Sequence, residues 1–297
     1  MFKHWVAAFR FRTLPLALAC IGMGSFLAAY YGAFSLVVCL LSLLTTLFLQ
    51  VLSNLANDYG DSVHGADSLS REGPKRAVQQ GVITKVAMKR AIYVLGGLSF
   101  ISGFTLLYLS LDFGTPKFYA FLALGILAIA AAIAYTNGKR PYGYMGLGDL
   151  FVFLFFGIVG VAGTFLLHTD SLPLEILLPA SACGLLATGV LNVNNIRDID
   201  SDKLAGKRSI PVRLGMRMAK FYHVALIVAA WVAIISFTLL AKFETFHLLV
   251  LLSLPLFASH LVRLRKSVNA VQIDPLLKQL ALATLFFVLC FGIGILL

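Results

Sequence analysis

An all-α, polytopic membrane helical bundle of about nine transmembrane helices is the fold class this sequence predicts. Three observations predict it. Of 297 residues, 60% are hydrophobic and only 12% charged, with a mean hydropathy of +0.91; a soluble domain of this size has no use for so much apolar surface, whereas lipid-facing helices do. The apolar residues fall into runs near the ~20 residues that a bilayer core demands. The Lys and Arg residues collect in alternate loops, as they do in multi-pass proteins.

Taken in order, the chain starts with a basic amphipathic stretch, in which Trp5, Phe9 and Phe11 alternate with Lys3, Arg10 and Arg12. Such a stretch suits a helix lying on a membrane surface. The run from Leu14 to Tyr31 then crosses, and because further spans follow at once it reads as a retained anchor rather than a cleaved signal. Later spans are expected at 34–57, 88–110, 117–136, 149–167, 173–196, 219–241, 245–262 and 277–296. No soluble domain, linker or low-complexity tract interrupts them, so residues 1–297 read as a single intramembrane domain.

Alternate loops on the N-terminal side of these spans hold 22 of the 24 cations, leaving Lys117 and Lys242 on the other. That bias predicts a cytoplasmic N-terminus and an outside C-terminus. It also gives the formal charge of +11 a role in orientation, so no nucleic-acid partner is expected. Cys20, Cys39, Cys183 and Cys290 lie inside apolar runs with no paired spacing, which predicts buried apolar residues rather than disulfides or ligands. The six His are scattered, so a His-based metal site is not expected.

Two polar clusters break the apolar pattern. The second span ends in N-L-A-N-D-Y-G-D, which places Asn54 and Asp58 at i and i+4 with Asp61 three further on, able to share one helix face. Asp67, Arg71, Lys75 and Arg76 follow in the loop. The sixth span ends in N-V-N-N-I-R-D-I-D-S-D, where Asn194, Asp198 and Asp202 repeat the four-residue step ahead of Lys203, Lys207 and Arg208. Asp58 and Asp198 are 140 residues and four spans apart, so the two clusters open to the same cytoplasmic mouth. Carboxylates at the mouth of a membrane helix are costly unless paired or metal-bound. Mg²⁺ takes one or two carboxylates together with phosphate oxygens, and arginine binds phosphate bidentately. The expected site therefore holds a divalent metal and a diphosphate between the clusters. For Asp61, Asp67 and Asp200 a solvated loop position is an equal reading. In A-I-A-Y-T-N-G-K-R-P-Y-G-Y-M-G-L-G-D, Tyr135 and Lys139 are placed one turn apart ahead of a Pro/Gly turn. Tyr135 is expected to line the pocket and to stabilise positive charge with its ring. Tyr142 and Tyr144 read equally well as interfacial anchors, and Phe151, Phe153, Phe155 and Phe156 as lipid-facing or core packing.

These motifs carry a resemblance. N-L-A-N-D-Y-G-D, G-P-K-R, Q-G-V-I-T, Y-T-N-G-K-R-P-Y-G-Y-M-G-L-G-D, C-G-L-L-A-T and L-N-V-N-N-I-R-D-I-D-S-D resemble, in order, the UbiA superfamily of intramembrane prenyltransferases. Within it they look most like the MenA branch, the 1,4-dihydroxy-2-naphthoate polyprenyltransferases. The entry to the first span departs from relatives, with Arg10-Phe11-Arg12-Thr13-Leu14-Pro15 where an extra proline often stands. The resemblance implies Mg²⁺-dependent transfer of a polyprenyl chain from its diphosphate to 1,4-dihydroxy-2-naphthoate, with loss of CO₂, giving demethylmenaquinone in menaquinone biosynthesis. It implies a multi-pass protein of the bacterial plasma (inner) membrane, in contact with membrane lipid. Asn54, Asp58, Asn194, Asp198 and Asp202 are then expected at the metal–diphosphate, and Arg71, Arg76, Lys139 and Lys207 on phosphate. Asp61 and Asp67 would hold metal or deprotonate the naphthol, and Arg10, Arg12 and Arg140 are candidates for the acceptor carboxylate. Other readings are a 4-hydroxybenzoate or haem-precursor prenyltransferase, or a divalent-cation or organic-anion transporter, which more often carries its polar groups at mid-bilayer. A CDP-alcohol phosphotransferase lacks support, because its D-G-x-x-A-R pattern is absent.

Overall fold

The first span shows how this chain bends where the sequence leaves few signals. In the computed structural model, which describes residues 2–64, 78–241 and 244–297, a short helix Phe2–Phe9 ends at Arg10. Arg10 adopts the left-handed conformation (φ 52°, ψ 52°), rare for a residue with a Cβ. One 3₁₀ turn, Phe11–Thr13, then leads into the helix Leu14–Tyr30, whose Pro15 sits in the first turn where its missing N–H costs nothing. The helices Phe2–Phe9 and Leu14–Tyr30 are thus separate segments, and a left-handed arginine makes the bend between them.

Among the described residues nine helical stretches are long and apolar enough to cross a membrane: Phe2–Tyr30, Leu36–His64, Lys85–Ser110, Pro116–Ala134, Gly148–His168, Leu174–Arg197, Ile210–Leu240, Thr245–Lys266 and Ala270–Leu296. The expected order is kept, but several helices outrun their apolar cores. The second continues through its acidic cluster to His64, the seventh starts at Ile210 rather than 219, and the ninth at Ala270 rather than 277. Local chemistry sets these ends, where hydropathy is silent. Thr84, Thr115 and Asn269 each accept a backbone N–H of the first turn. Pro211 occupies the first turn of the seventh span, which kinks at Gly215 (φ 73°).

Among the described residues the sixth span is the most enclosed and packs against the fifth, seventh and ninth, while the fourth buries only Phe118 and is the least enclosed. Contact of the fifth and sixth spans depends on glycine. A Cβ on Gly157 would lie 2.6 Å from the Ala180 carbonyl and 2.8 Å from the Gly184 Cα. Residues Phe153–Gly163 of the fifth span form a π-helix, a form that is rare at this length and frequent at functional sites. Cys20, Cys183 and Cys290 are buried and Cys39 is partly buried, all as free thiols.

Candidate active site

The last turns of the second and sixth spans and the connection after the fourth surround one cavity of about 370 Å³, within the range of small-molecule sites. Its body is apolar, with Phe104, Phe121, Phe151, Phe155 and Phe156 among the lining residues. Three of the four phenylalanines read above as lipid-facing or core packing therefore face this space, Phe153 being the exception. Its polar lining gathers Arg10, Asn54, Asn57, Asp61, Tyr135, Asn194 and Lys207. Asn54 and Asp61 of the first cluster and Asn194 of the second, 140 residues apart as clusters, thus meet at one place, whereas Asp58, Asp198 and Asp202, expected at the metal–diphosphate, do not line the cavity.

On the second span Asn54, Asp58 and Asp61 are all buried. Asn54 donates to the Phe9 carbonyl at 2.9 Å and to Thr13 Oγ1 at 3.3 Å, which ties the left-handed bend to the cluster. Asp58 forms an ion pair with Arg10, so that candidate for the acceptor carboxylate already has an anionic partner. Asp61 accepts from the Tyr144 hydroxyl at 2.9 Å. Its solvated reading is set aside, and Tyr144 is more than an interfacial anchor. Gly60 lets the second span pack closely on the end of the fourth, because a Cβ there would clash with the Thr136 carbonyl oxygen at 2.6 Å.

On the sixth span the four-residue step is interrupted. The helix ends at Arg197, Asp198 leaves helical geometry (φ −100°, ψ 13°), and a short helix Ile199–Leu204 carries Asp202. Arg197 has a buried side chain. It donates Nε to Asp198 Oδ1 at 2.8 Å and Nη2 to Asp198 Oδ2 at 2.7 Å and Asn194 Oδ1 at 2.8 Å. Its Nη1 reaches Asp274 Oδ1 on the ninth span at 2.6 Å. In the sequence Arg197 is one more of the cations beside the sixth span, and no pattern marks Asp274. Asp200 is exposed, as its solvated reading held.

Lys207 joins the halves. Its ammonium lies 3.3 Å from Asp202 Oδ1, both side chains are almost wholly buried, and it stands 5.7 Å above the Tyr144 ring. Burial alone would lower the pKa of this lysine, but the carboxylates of Asp202, Asp61 and Asp198 together raise it above the ordinary value. Asp202 is also raised, by burial first and then by its neighbours Asp198 and Asp61, with Lys207 opposing. Tyr135 lines the cavity, and burial pushes its phenol up to about 12, so it stays neutral at physiological pH. Its ring meets Tyr142 edge to face at 5.3 Å. Tyr142 in turn donates to the Ala131 carbonyl at 2.9 Å and stacks on Phe151.

Other expected residues lie elsewhere. Lys139 and Arg140 are exposed, and neither lines the cavity. The fourth span ends at Ala134, and Gly138 at φ 101° turns the chain, so Tyr135 and Lys139 do not share a helical turn. Arg12 is engaged by Asp274 at 3.0 Å. Asp67, Arg71, Lys75 and Arg76 fall outside the described residues.

The donors suit a hard divalent cation. They are oxygens, and Asp202 Oδ2 is buried without a hydrogen-bond partner. Mg²⁺ commonly rests on one or two carboxylates and completes its shell with phosphate and water. That mode needs no preformed cluster of three acidic or imidazole ligands, and none occurs among the described residues.

The UbiA prenyltransferase family profile matches residues 16–285. The chain is 44% identical over 293 residues to the 1,4-dihydroxy-2-naphthoate octaprenyltransferase of Escherichia coli K12, covering 99% of this chain and 95% of that protein. It is 42% identical over 296 residues to the enzyme of the same name from Haemophilus influenzae, covering 99% and 96%. In fold it is similar to a UbiA homologue of Archaeoglobus fulgidus bound to DMAPP and Mg²⁺, with a TM-score of 0.61, 18% identity and coverage of 96% and 98%. The chain belongs to the UbiA prenyltransferase family.

Proposed function

We propose that this protein is a 1,4-dihydroxy-2-naphthoate polyprenyltransferase of menaquinone biosynthesis, using Mg²⁺ in the inner membrane of a bacterium. The observation that carries the reading is the meeting of Asn54 and Asp61 with Asn194 and Lys207, from two distant polar clusters, at one cavity with an apolar body. Full-length similarity to two proteins of that activity supports the acceptor, and the Mg²⁺ bound in a fold relative supports the metal.

The reaction balances without an oxidant. The allylic C–O bond of the polyprenyl diphosphate breaks and diphosphate leaves. A C–C bond forms at the ring carbon that bears the carboxylate, and that carboxylate leaves as CO₂. Its bonding electrons restore the ring, so the product is a naphthohydroquinone, the reduced form of demethylmenaquinone. When bound, Mg²⁺ supplies charge that makes diphosphate a better leaving group. Asp61 and Asp202 are the residues that would hold it, with Asn54 and Asn194 as neutral oxygen donors. Lys207 and Arg10 place positive charge beside the departing diphosphate. Asp61 is steadied for metal binding by the Tyr144 hydroxyl, which donates to its Oδ1. The neutral ring of Tyr135 faces the developing allylic charge. The aromatic body excludes water from that charge and accommodates the isoprenoid tail.

Purified protein given labelled polyprenyl diphosphate and a panel of aromatic acids tests this reading. Dihydroxynaphthoate should be prenylated and 4-hydroxybenzoate hardly at all, because a site that binds particular hydroxyls discriminates strongly against an acceptor lacking them. Faster prenylation of 4-hydroxybenzoate would move the protein to another branch of its family.

A further inference from the structure

We propose that Asp274, at the start of the ninth span, is a positioning residue for the second acidic cluster; the assignment rests on the metal–diphosphate reading above. Three segments distant in sequence meet at its carboxylate. Arg12, from the turn before the first span, donates Nη1 to Asp274 Oδ1 at 3.1 Å and to Oδ2 at 3.0 Å. Arg197, from the end of the sixth span, donates Nη1 to Oδ1 at 2.6 Å.

Arg197 converts this anchor into geometry at the site. Its guanidinium grips both oxygens of Asp198 as a fork and also holds Asn194 Oδ1. A guanidinium is planar and rigid, so fixing Nη1 fixes the direction of the other two nitrogens. The Arg197 side chain is 1% exposed while those of Asp274 and Arg12 are 28% and 31% exposed. The inner end is therefore locked in protein and the outer end lies at the wet rim. Leu277, three residues on from Asp274, lines the cavity. The last span thus reports its position to the sixth through one carboxylate.

Partners that orient metal-binding groups typically change metal affinity by about 10- to 100-fold when removed. The test is calorimetric binding of Mg²⁺ with inorganic diphosphate to the purified full-length protein in detergent, with thermal unfolding of each sample alongside. Asp274→Ala should remain folded and bind at least about 10-fold more weakly. Asp274→Asn keeps an acceptor for Arg197 and should lose less, whereas Arg12→Ala leaves the Arg197–Asp274 bond in place and should lose least. A purely structural role would lower the unfolding temperature of Asp274→Ala while leaving affinity unchanged, and that result overturns the proposal. If Asp274→Ala fails to fold, Asp274→Leu, which keeps the side-chain volume but accepts no hydrogen bond, decides, and wild-type affinity in that variant overturns the proposal equally. A wild-type protein that binds no Mg²⁺–diphosphate overturns the site reading and this inference with it, whereas wild-type binding with an unaffected variant overturns the inference alone.

Discussion

Replacing Lys207 by Gln tests the electrostatics of the site without touching a carboxylate. The ammonium sits 3.3 Å from Asp202 Oδ1, with both side chains at most 7% exposed. At an effective dielectric of about 20, a unit charge pair at that distance interacts by about 5 kcal/mol. Removing one partner of a buried pair costs about 3–5 kcal/mol in practice. The variant leaves Asp202, Asp61 and Asp198 without the buried cation that all three attract, so the metal-free protein should lose about 3–5 kcal/mol of unfolding free energy. Asp202→Asn should cost less. It removes a carboxylate whose charge is already disfavoured, and it leaves Asp61 and Asp198 to hold the lysine. Adding Mg²⁺ should restore part of the loss in Lys207→Gln, because the metal supplies the missing positive charge. Denaturant titration in detergent micelles, with and without Mg²⁺, measures all three quantities. The reasoning fails if Lys207→Gln is no more destabilising than Asp202→Asn, or if Mg²⁺ stabilises neither.

Three other outcomes are expected. Asp58→Asn and Asp198→Asn each weaken the hold on an arginine at the site, the half-buried Arg10 or the buried Arg197, and turnover should fall by about 10- to 100-fold in folded protein; near-wild-type turnover at saturating Mg²⁺ refutes the assignment. The raised Asp202 carboxyl keeps its proton at pH values where free aspartate has lost it, and that proton must leave before metal binds. Metal–diphosphate affinity, followed by calorimetry across pH, should therefore weaken as pH falls through a range above the ordinary aspartate value, and Asp202→Asn should flatten that dependence. For orientation, a cysteine at Leu204, exposed in the connection after the sixth span, should be labelled only after the membrane is permeabilised from outside, while a tag after Leu297 should be reached without it; a shielded tag contradicts the cation bias.

Residue pattern and residue contact divide what the sequence discloses. The nine apolar runs are legible because lipid imposes a length and a composition on every span. Asn54, Asp58, Asn194, Asp198 and Asp202 are legible because carboxylates at membrane helix ends are costly without a partner. Their partners were not. Arg197 looks like one more cation in a basic loop, and Asp274 lies 77 residues from Arg197 and 262 from Arg12. Only tertiary packing brings these three together. Tyr144 reads as an interfacial aromatic until its hydroxyl is found on Asp61. Lys139 misled for the opposite reason, since spacing on an assumed helix means nothing once Gly138 turns the chain. The phenylalanines of the fifth span are ambiguous in any apolar run, and the π-helix that carries Phe155 and Phe156 alters which faces they present.

The central claim is tested most directly with dihydroxynaphthoate labelled in its carboxyl carbon, incubated with polyprenyl diphosphate, purified protein and Mg²⁺. The account predicts one labelled CO₂ for each diphosphate released, an unlabelled prenylated hydroquinone, and loss of both signals on chelation of the metal. Prenylated product that retains the label, or diphosphate release without CO₂, would contradict it.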